Sequence, residues 1–282
     1  MRRGCVAVTV VLTAAVVAGC DDGPRKDLVV RGTPPATPYS GPLDVATRER
    51  DESGPRALRL ASGAAGRALE CDGEIFDGSG PDGWGRSDGG ATPEAGLALY
   101  FDMFQPEVPD HGYRVERRTA DRVLYSYDVA GRTRVAVVVA EDQPDRPGWG
   151  PETSASCDPA ELPESFTATT EREIWKDRAG RRVPVGRLES SSGPEHCGWQ
   201  SAVLLTLGDR TYARDPDGVL GRDGLLAAPY RPEVRMPAGA VDTGYHRGGR
   251  RLWLTDDRAT AYVRTDAGVE AWPLLGKGVA CQ

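Results

Sequence analysis

The sequence predicts an α+β, mainly β fold: two small disulfide-stapled modules carried behind an export segment and a disordered stalk. Three observations predict it. Short apolar runs bounded by Gly, Asp and Pro recur from Tyr113 to the end of the chain, the pattern of hairpins. A well-signalled helix start occurs at Thr92-Pro93-Glu94. Four cysteines, Cys71, Cys157, Cys197 and Cys281, follow a stretch rich in proline and charge, and they divide the remainder into two spans of 86 and 84 residues.

The first element is the N-terminal segment, residues 1–19. Arg2 and Arg3 give it a positive start, Val6 to Val17 are nearly all apolar, and Val17-Ala18-Gly19 ends it in small residues before Cys20. As a helix, that apolar run would reach only about 18 Å, well short of a hydrocarbon core of roughly 30 Å. A cleaved secretory signal is expected rather than a permanent span. Together these residues resemble the lipobox of bacterial prolipoproteins. The resemblance covers residues 1–20 and implies that Cys20 is lipidated and the chain cut just before it. It also implies a lipid-anchored protein on the extracytoplasmic face of the cell membrane, with the membrane as its first partner. Two acyl chains on one residue satisfy the requirement for stable anchoring, which a single chain does not. Cys5 falls in the discarded part.

Residues 20–54 read as the lipidated Cys20 and a flexible stalk. Five prolines, several charges and only short apolar runs between Asp21 and Gly54 are too little apolar surface to offset the entropy of ordering. A coil of that length has a mean reach of roughly 30 Å.

The first module, residues 55–165, opens on a weak helix from Arg56 to Leu69 that Gly63 and Gly66 interrupt. The helix at Thr92 carries Leu97, Leu99, Tyr100 and Phe101 and stops before Pro106. Tyr113 to Thr119, Arg122 to Val129 and Thr133 to Ala140 read as strands, with Ala130-Gly131-Arg132 closing a hairpin. The second module, residues 166–282, reads as mainly β. Ile174 to Asp177 and Arg181 to Leu188 form one hairpin, and Ser201 to Leu207 and Thr211 to Arg214 form another. Arg251 to Thr255, Ala259 to Thr265 and Val269 to Pro273 follow, while Asp215 to Thr243 reads as ordered loop.

An even number of cysteines in an exported chain points to a disulfide framework. Four cysteines allow three connectivities. Pairing Cys71 with Cys157 and Cys197 with Cys281 would staple each module once, closing loops worth roughly 4.5 kcal/mol each in the chain-entropy model. The near-equal spans also raise a duplication of one unit, although only the first half shows a clear helix. Metal binding is disfavoured, because there is no CxxC pair and the histidines are only His111, His196 and His246.

Composition narrows function. The formal net charge is −7 and becomes −9 once Arg2 and Arg3 leave with the signal, so no nucleic-acid partner is expected. Lysine occurs three times against 32 arginines, isoleucine twice and asparagine never, the bias of a GC-rich genome. Glu195-His196-Cys197 brings an acid, a base and a nucleophile together, but adjacent residues rarely face each other and the cysteine belongs to an even set. Asp77, Asp82 and Asp88 lie in a glycine-rich loop whose spacing fits no EF-hand. No nucleophile elbow, Walker loop or His-Glu-x-x-His helix is present, so no catalytic residue and no cofactor is assigned.

Trp84 and Trp149 lie in Gly- and Pro-rich stretches where a ring has less reason to be buried, which makes them the candidate binding residues. The lipobox, the polar stalk and the segments Glu195-His196-Cys197-Gly198-Trp199 and Val279-Ala280-Cys281 give the whole chain the look of uncharacterised lipoproteins of actinobacteria. Two functions are therefore expected in competition: a non-catalytic binding or assembly module for a cell-wall or protein partner, and an extracytoplasmic hydrolase of wall or peptide substrates. The first is favoured.

Overall fold

A computed structural model describes residues 27–48, 54–80 and 83–276. The expected export segment, Cys20 and Cys281 lie outside the described residues.

The first module is built on a five-stranded antiparallel sheet in the order β1-β5-β4-β3-β2, comprising β1 (Ile75–Ser79), β2 (Arg114–Arg118), β3 (Arg122–Val129), β4 (Arg132–Gln143) and β5 (Arg146–Cys157). The run Val135 to Ala140 is wholly buried on central β4, as a strand covered on both faces requires. Ala136 and Val138 face one side, with Leu124, and pack on Ala64, Ala65 and Ala68. Val135, Val137 and Val139 face the other, with Tyr125, and pack on Leu97 and Tyr100. The first layer is α1 (Pro55–Ala61) and α2 (Gly63–Ala68), split at Gly63 with φ +50°. The second is α3 (Pro93–Phe104), where the Thr92 hydroxyl accepts from Ala95 N at 3.2 Å and Gln105 ends the helix in a left-handed conformation before Pro106. The hairpin expected between β3 and β4 turns on Ala130 and Gly131, both at positive φ.

Two expectations are corrected here. Most of the stalk is part of the fold: residues 27–48 wrap the β2 edge from one face of the sheet to the other. Val30 N donates to Tyr113 O at 2.8 Å, Tyr39 N to Glu116 Oε1 at 2.8 Å and Arg48 N to Leu60 O at 2.9 Å. Leu28 and Val29 lean on the α3 core, and Leu43 is buried in the α2 core. A few spaced apolar anchors suffice when a finished sheet edge is there to receive them, and the segment in turn shields that edge. The second correction is β5, a full-length internal strand made from sequence read as Gly- and Pro-rich loop. Its small residues Ser154, Ala155 and Ser156 are buried or nearly so under the helices.

Cys71 is bonded to Cys157 with Cα atoms 5.3 Å apart, joining the entry to β1 to the end of β5. Arg134 braces the same corner, donating to Glu70 O at 2.6 Å and pairing with Asp72 and Glu161. Cys197 is disulfide-bonded too, and the partner expected for it, Cys281, is outside the described residues.

The second module comprises two four-stranded antiparallel sheets, each a meander. The first holds β6 (Arg172–Glu173), β7 (Leu188–Ser192), β8 (Val203–Leu207) and β9 (Arg210–Arg214); the second holds β10 (Val241–Arg247), β11 (Arg250–Leu254), β12 (Thr260–Arg264) and β13 (Val269–Pro273). Leu188, Leu205 and Tyr212 meet Leu252, Val263 and Trp272 in one core between them. Leu275 N donates to Thr211 O at 2.8 Å, tying the sheets together past β13. The expected hairpin of Ile174 to Asp177 with Arg181 to Leu188 is only partly formed, since the two lines pair briefly at Lys176 and Arg182 and the regular strand starts later, at Leu188. One five-stranded sheet in the first module and two four-stranded sheets in the second give no common unit, so a duplication finds no support in the architecture.

Candidate functional site

Trp84 and Trp149 are not an exposed face. They are 3 % and 8 % exposed, and both belong to the interior of the first module. The Trp84 ring lies across Gly150 of β5, where a Cβ would stand 2.4 Å from the indole, and its Nε1–H donates to Pro151 O at 3.0 Å. The Arg146 guanidinium covers the ring at 5.6 Å from its centroid. Trp149 exchanges two backbone hydrogen bonds with Gly90, at 2.7 and 2.8 Å. The glycines that made these stretches look adaptable are what lets the rings and backbones close up.

The other sequence candidates do not assemble into a site. Glu195–Cys197 forms a single 3₁₀ turn, and a disulfide-bonded Cys197 offers no thiolate. Asp77 is spent on Gly78 N and Asp88 on Gly85 N, and Asp82 lies outside the described residues. Among the described residues, no three His, Cys, Asp or Glu side chains converge as metal ligands would.

Two of the cavities that the fold creates take part of their lining from the short helix α4 (Glu164–Thr167). The one of about 560 Å³ is aromatic, walled by Phe101, Val108, Tyr127 and Phe166, with His111 bonded to Asp110 at its rim. The other, of about 430 Å³, is basic, with Lys176, Arg182, His246 and Arg247 facing Glu164 and Thr167.

The basic cavity is held by backbone pairing across three lines of chain. Lys176 and His246 exchange two main-chain hydrogen bonds, at 2.8 and 2.9 Å, and Lys176 also bridges Arg182 on its other side. The turn between Lys176 and Arg182 is fixed by Asp177, whose carboxylate accepts from Ala179 N, Arg181 N and the Arg181 guanidinium. Those bonds hold its carboxyl below the usual range. The Arg182 guanidinium reaches back to the first module, donating to Thr167 Oγ1 at 2.6 Å and to the carbonyls of Leu162 and Pro159. Burial pushes its pKa down, against the pull of the Glu164 and Asp158 carboxylates, and the group stays charged at neutral pH. Lys176 Nζ lies 3.3 Å from Glu164 Oε1. Arg247 is engaged by Glu173 at 2.9 Å. His246 Nε2 faces Asp177 O at 3.0 Å, and a ring nitrogen against a carbonyl must carry the proton.

Chemically this lining can bind and orient an anion. Its one carboxylate is largely exposed, its Thr167 hydroxyl is committed to Pro163 O and Arg182, and it contains neither cysteine nor serine. Sequence reasoning missed the cavity because Lys176 and His246 lie 70 positions apart in an Arg-rich chain and neither carries a motif. The only available signal was the turn sequence around Gly180 and Gly248, which brings the two hairpins to the same corner. Comparison with known proteins returns no matching family model, no matching curated protein and no matching solved structure, so the cavity is read from its own residues.

Proposed function

We propose that this chain is a lipoprotein, anchored through lipid on Cys20 to the extracytoplasmic face of the cell membrane, and that it works there as a non-catalytic binding module. The observation that carries the reading is the ending Val17-Ala18-Gly19-Cys20 after a positive start and a short apolar run. The Cys71–Cys157 disulfide supports it, since such bonds persist in oxidising compartments. So does the junction between the modules, whose basic cavity has the groups to hold a ligand and lacks a nucleophile paired with a base. Among the described residues no helix is long and apolar enough to cross a membrane. The partner is accordingly a small molecule or a component of the cell surface.

Cys20→Ala tests the anchor. The variant is expected to lose fatty-acid label and to leave the membrane fraction or accumulate uncleaved. A variant that still carries lipid and sediments with membranes would overturn the assignment.

A further inference from the structure

We propose that the cavity of about 430 Å³ between the modules is a binding site for a phosphate-bearing ligand, gripped by the row Arg182, Lys176 and His246. This deepens the binding-module reading and rests on it.

The row comes from register. Arg182 and His246 are the antiparallel bridge partners of Lys176 on its two sides, and residues directly opposite in antiparallel pairs present their side chains on one face. All three line the same cavity, with Arg247 beside them. Like charges placed directly opposite one another destabilise a sheet, and side-by-side Lys176 and Arg182 carry that cost, which the Glu164 and Asp158 carboxylates reduce. The charges available to balance them are few. Glu164 is the single carboxylate of the lining and reaches Lys176 at 3.3 Å, through a side chain that is 73 % exposed and strongly screened. Arg247 is engaged by Glu173, which it shares with Arg250. Arg182 has three hydrogen-bond acceptors, all uncharged: two carbonyls and a threonine hydroxyl. Among the described residues no carboxylate stands within ion-pair distance of it.

A net-positive cavity in a chain of net charge −7 runs against the composition of the whole molecule. Its geometry is also fixed in advance, because both ends of the row are pinned by main-chain pairing and Arg182 is pinned by the first module. A preorganised guanidinium beside an ammonium is a donor set that recognises phosphate oxygens, and His246, whose Nε2–H is taken by Asp177 O, closes the row beside them. The cavity exceeds a bare phosphate, and Ile174 and Ala168 give it an apolar wall. The expected ligand is therefore a phosphate ester with a small organic group, either free or displayed by a lipid headgroup.

The test uses the full mature chain, purified in detergent, with isothermal titration against inorganic phosphate, glycerol 3-phosphate and vesicles of phosphatidylglycerol, chloride being the control anion. Saturable binding of a phosphate probe, not matched by chloride at equal concentration, is the expected result. Lys176→Gln should weaken it by about tenfold or more, the loss of one charge-assisted hydrogen bond, while the melting temperature stays near that of the parent, since the exposed pair with Glu164 adds little. His246→Gln provides a second variant that leaves the Arg182 brace intact. Binding of the soluble esters identifies a free metabolite as the source, and binding of vesicles alone identifies a headgroup. No binding to any of the three probes, or equal binding by parent and both variants, would overturn the site. Neither result touches the anchor, which the Cys20→Ala experiment decides separately in cells.

Discussion

Trp84 and Gly150 form a unit in which each residue explains the other. The indole fills the space that a side chain at Gly150 would occupy, and its one polar atom is satisfied by Pro151 O. Removing a buried aromatic leaves a cavity, so Trp84→Ala should cost about 3 to 5 kcal/mol of unfolding free energy, and Gly150→Ala should be destabilising for the opposite reason, overpacking against the ring. Denaturant titration of the two variants checks both. A change of less than about 0.5 kcal/mol in Trp84→Ala would mean that the ring is a surface group. At this scale the sequence is readable where a residue acts locally, as Thr92 does in capping α3. It is silent where a glycine serves a partner far along the chain: Gly150 looks the same in a mobile loop as beneath a tryptophan.

Among the elements, the docked segment 27–48 departs furthest from its composition. Summed over a window, its prolines and charges predict disorder; taken singly, Leu28, Val29, Leu43 and Val45 are four points of attachment to a sheet already built. Proline also reduces the entropy lost when an extended segment settles. Limited proteolysis should accordingly leave residues 27–48 intact under conditions that cut exposed loops, and rapid cleavage within them would show that the segment does not dock. The hairpins β3–β4, β8–β9 and β11–β12–β13 were legible because alternation, β-branched residues and turn glycines coincide in them. β5 was not, since Pro147, Gly148, Gly150 and Pro151 interrupt its pattern and its register with β4 shifts twice to accommodate them. The start of β10 was hidden similarly by Asp242 and Gly244, where the pairing with β11 is irregular.

For the molecule as a whole, charged groups do the joining that apolar cores do within each module. Arg172 spans from Glu189 to Glu107 of the first module, and the Asp158 carboxylate accepts from Val185 N at 3.1 Å. Within the second module Glu173 is the hub between sheets, bonded to Arg247 and Arg250 on one side and to Ser190, which also receives the buried Trp175 indole, on the other. Burial works to raise the Glu173 carboxyl, but the hydrogen bonds from Arg250 and Ser190 and the charges of Arg250 and Arg247 outweigh it and hold it below its ordinary value of 4.5. The unfolded chain then binds the proton more readily. The stabilisation is fully present above the unfolded value and fades as pH falls through the lower folded one. Glu173→Gln should therefore lower stability at neutral pH and flatten its decline below about pH 4. Unfolding curves across that range measure it, and parallel declines in parent and variant would remove Glu173 from the acid response. None of this joining was legible in the sequence, because each partner of Glu173 and Arg182 is supplied by tertiary pairing.

The docking of residues 27–48 also sets a distance. Only six residues separate Cys20 from Asp27, the first of the described residues. A lipid on Cys20 would then lie within about 25 Å of Asp27, the most that six intervening residues can span, less than the mean reach of roughly 30 Å that the whole stalk would have had as a coil. Under the proposed anchor, the described fold would be kept to a thin layer along the bilayer, and whatever it binds would have to be made at the membrane or come down to it.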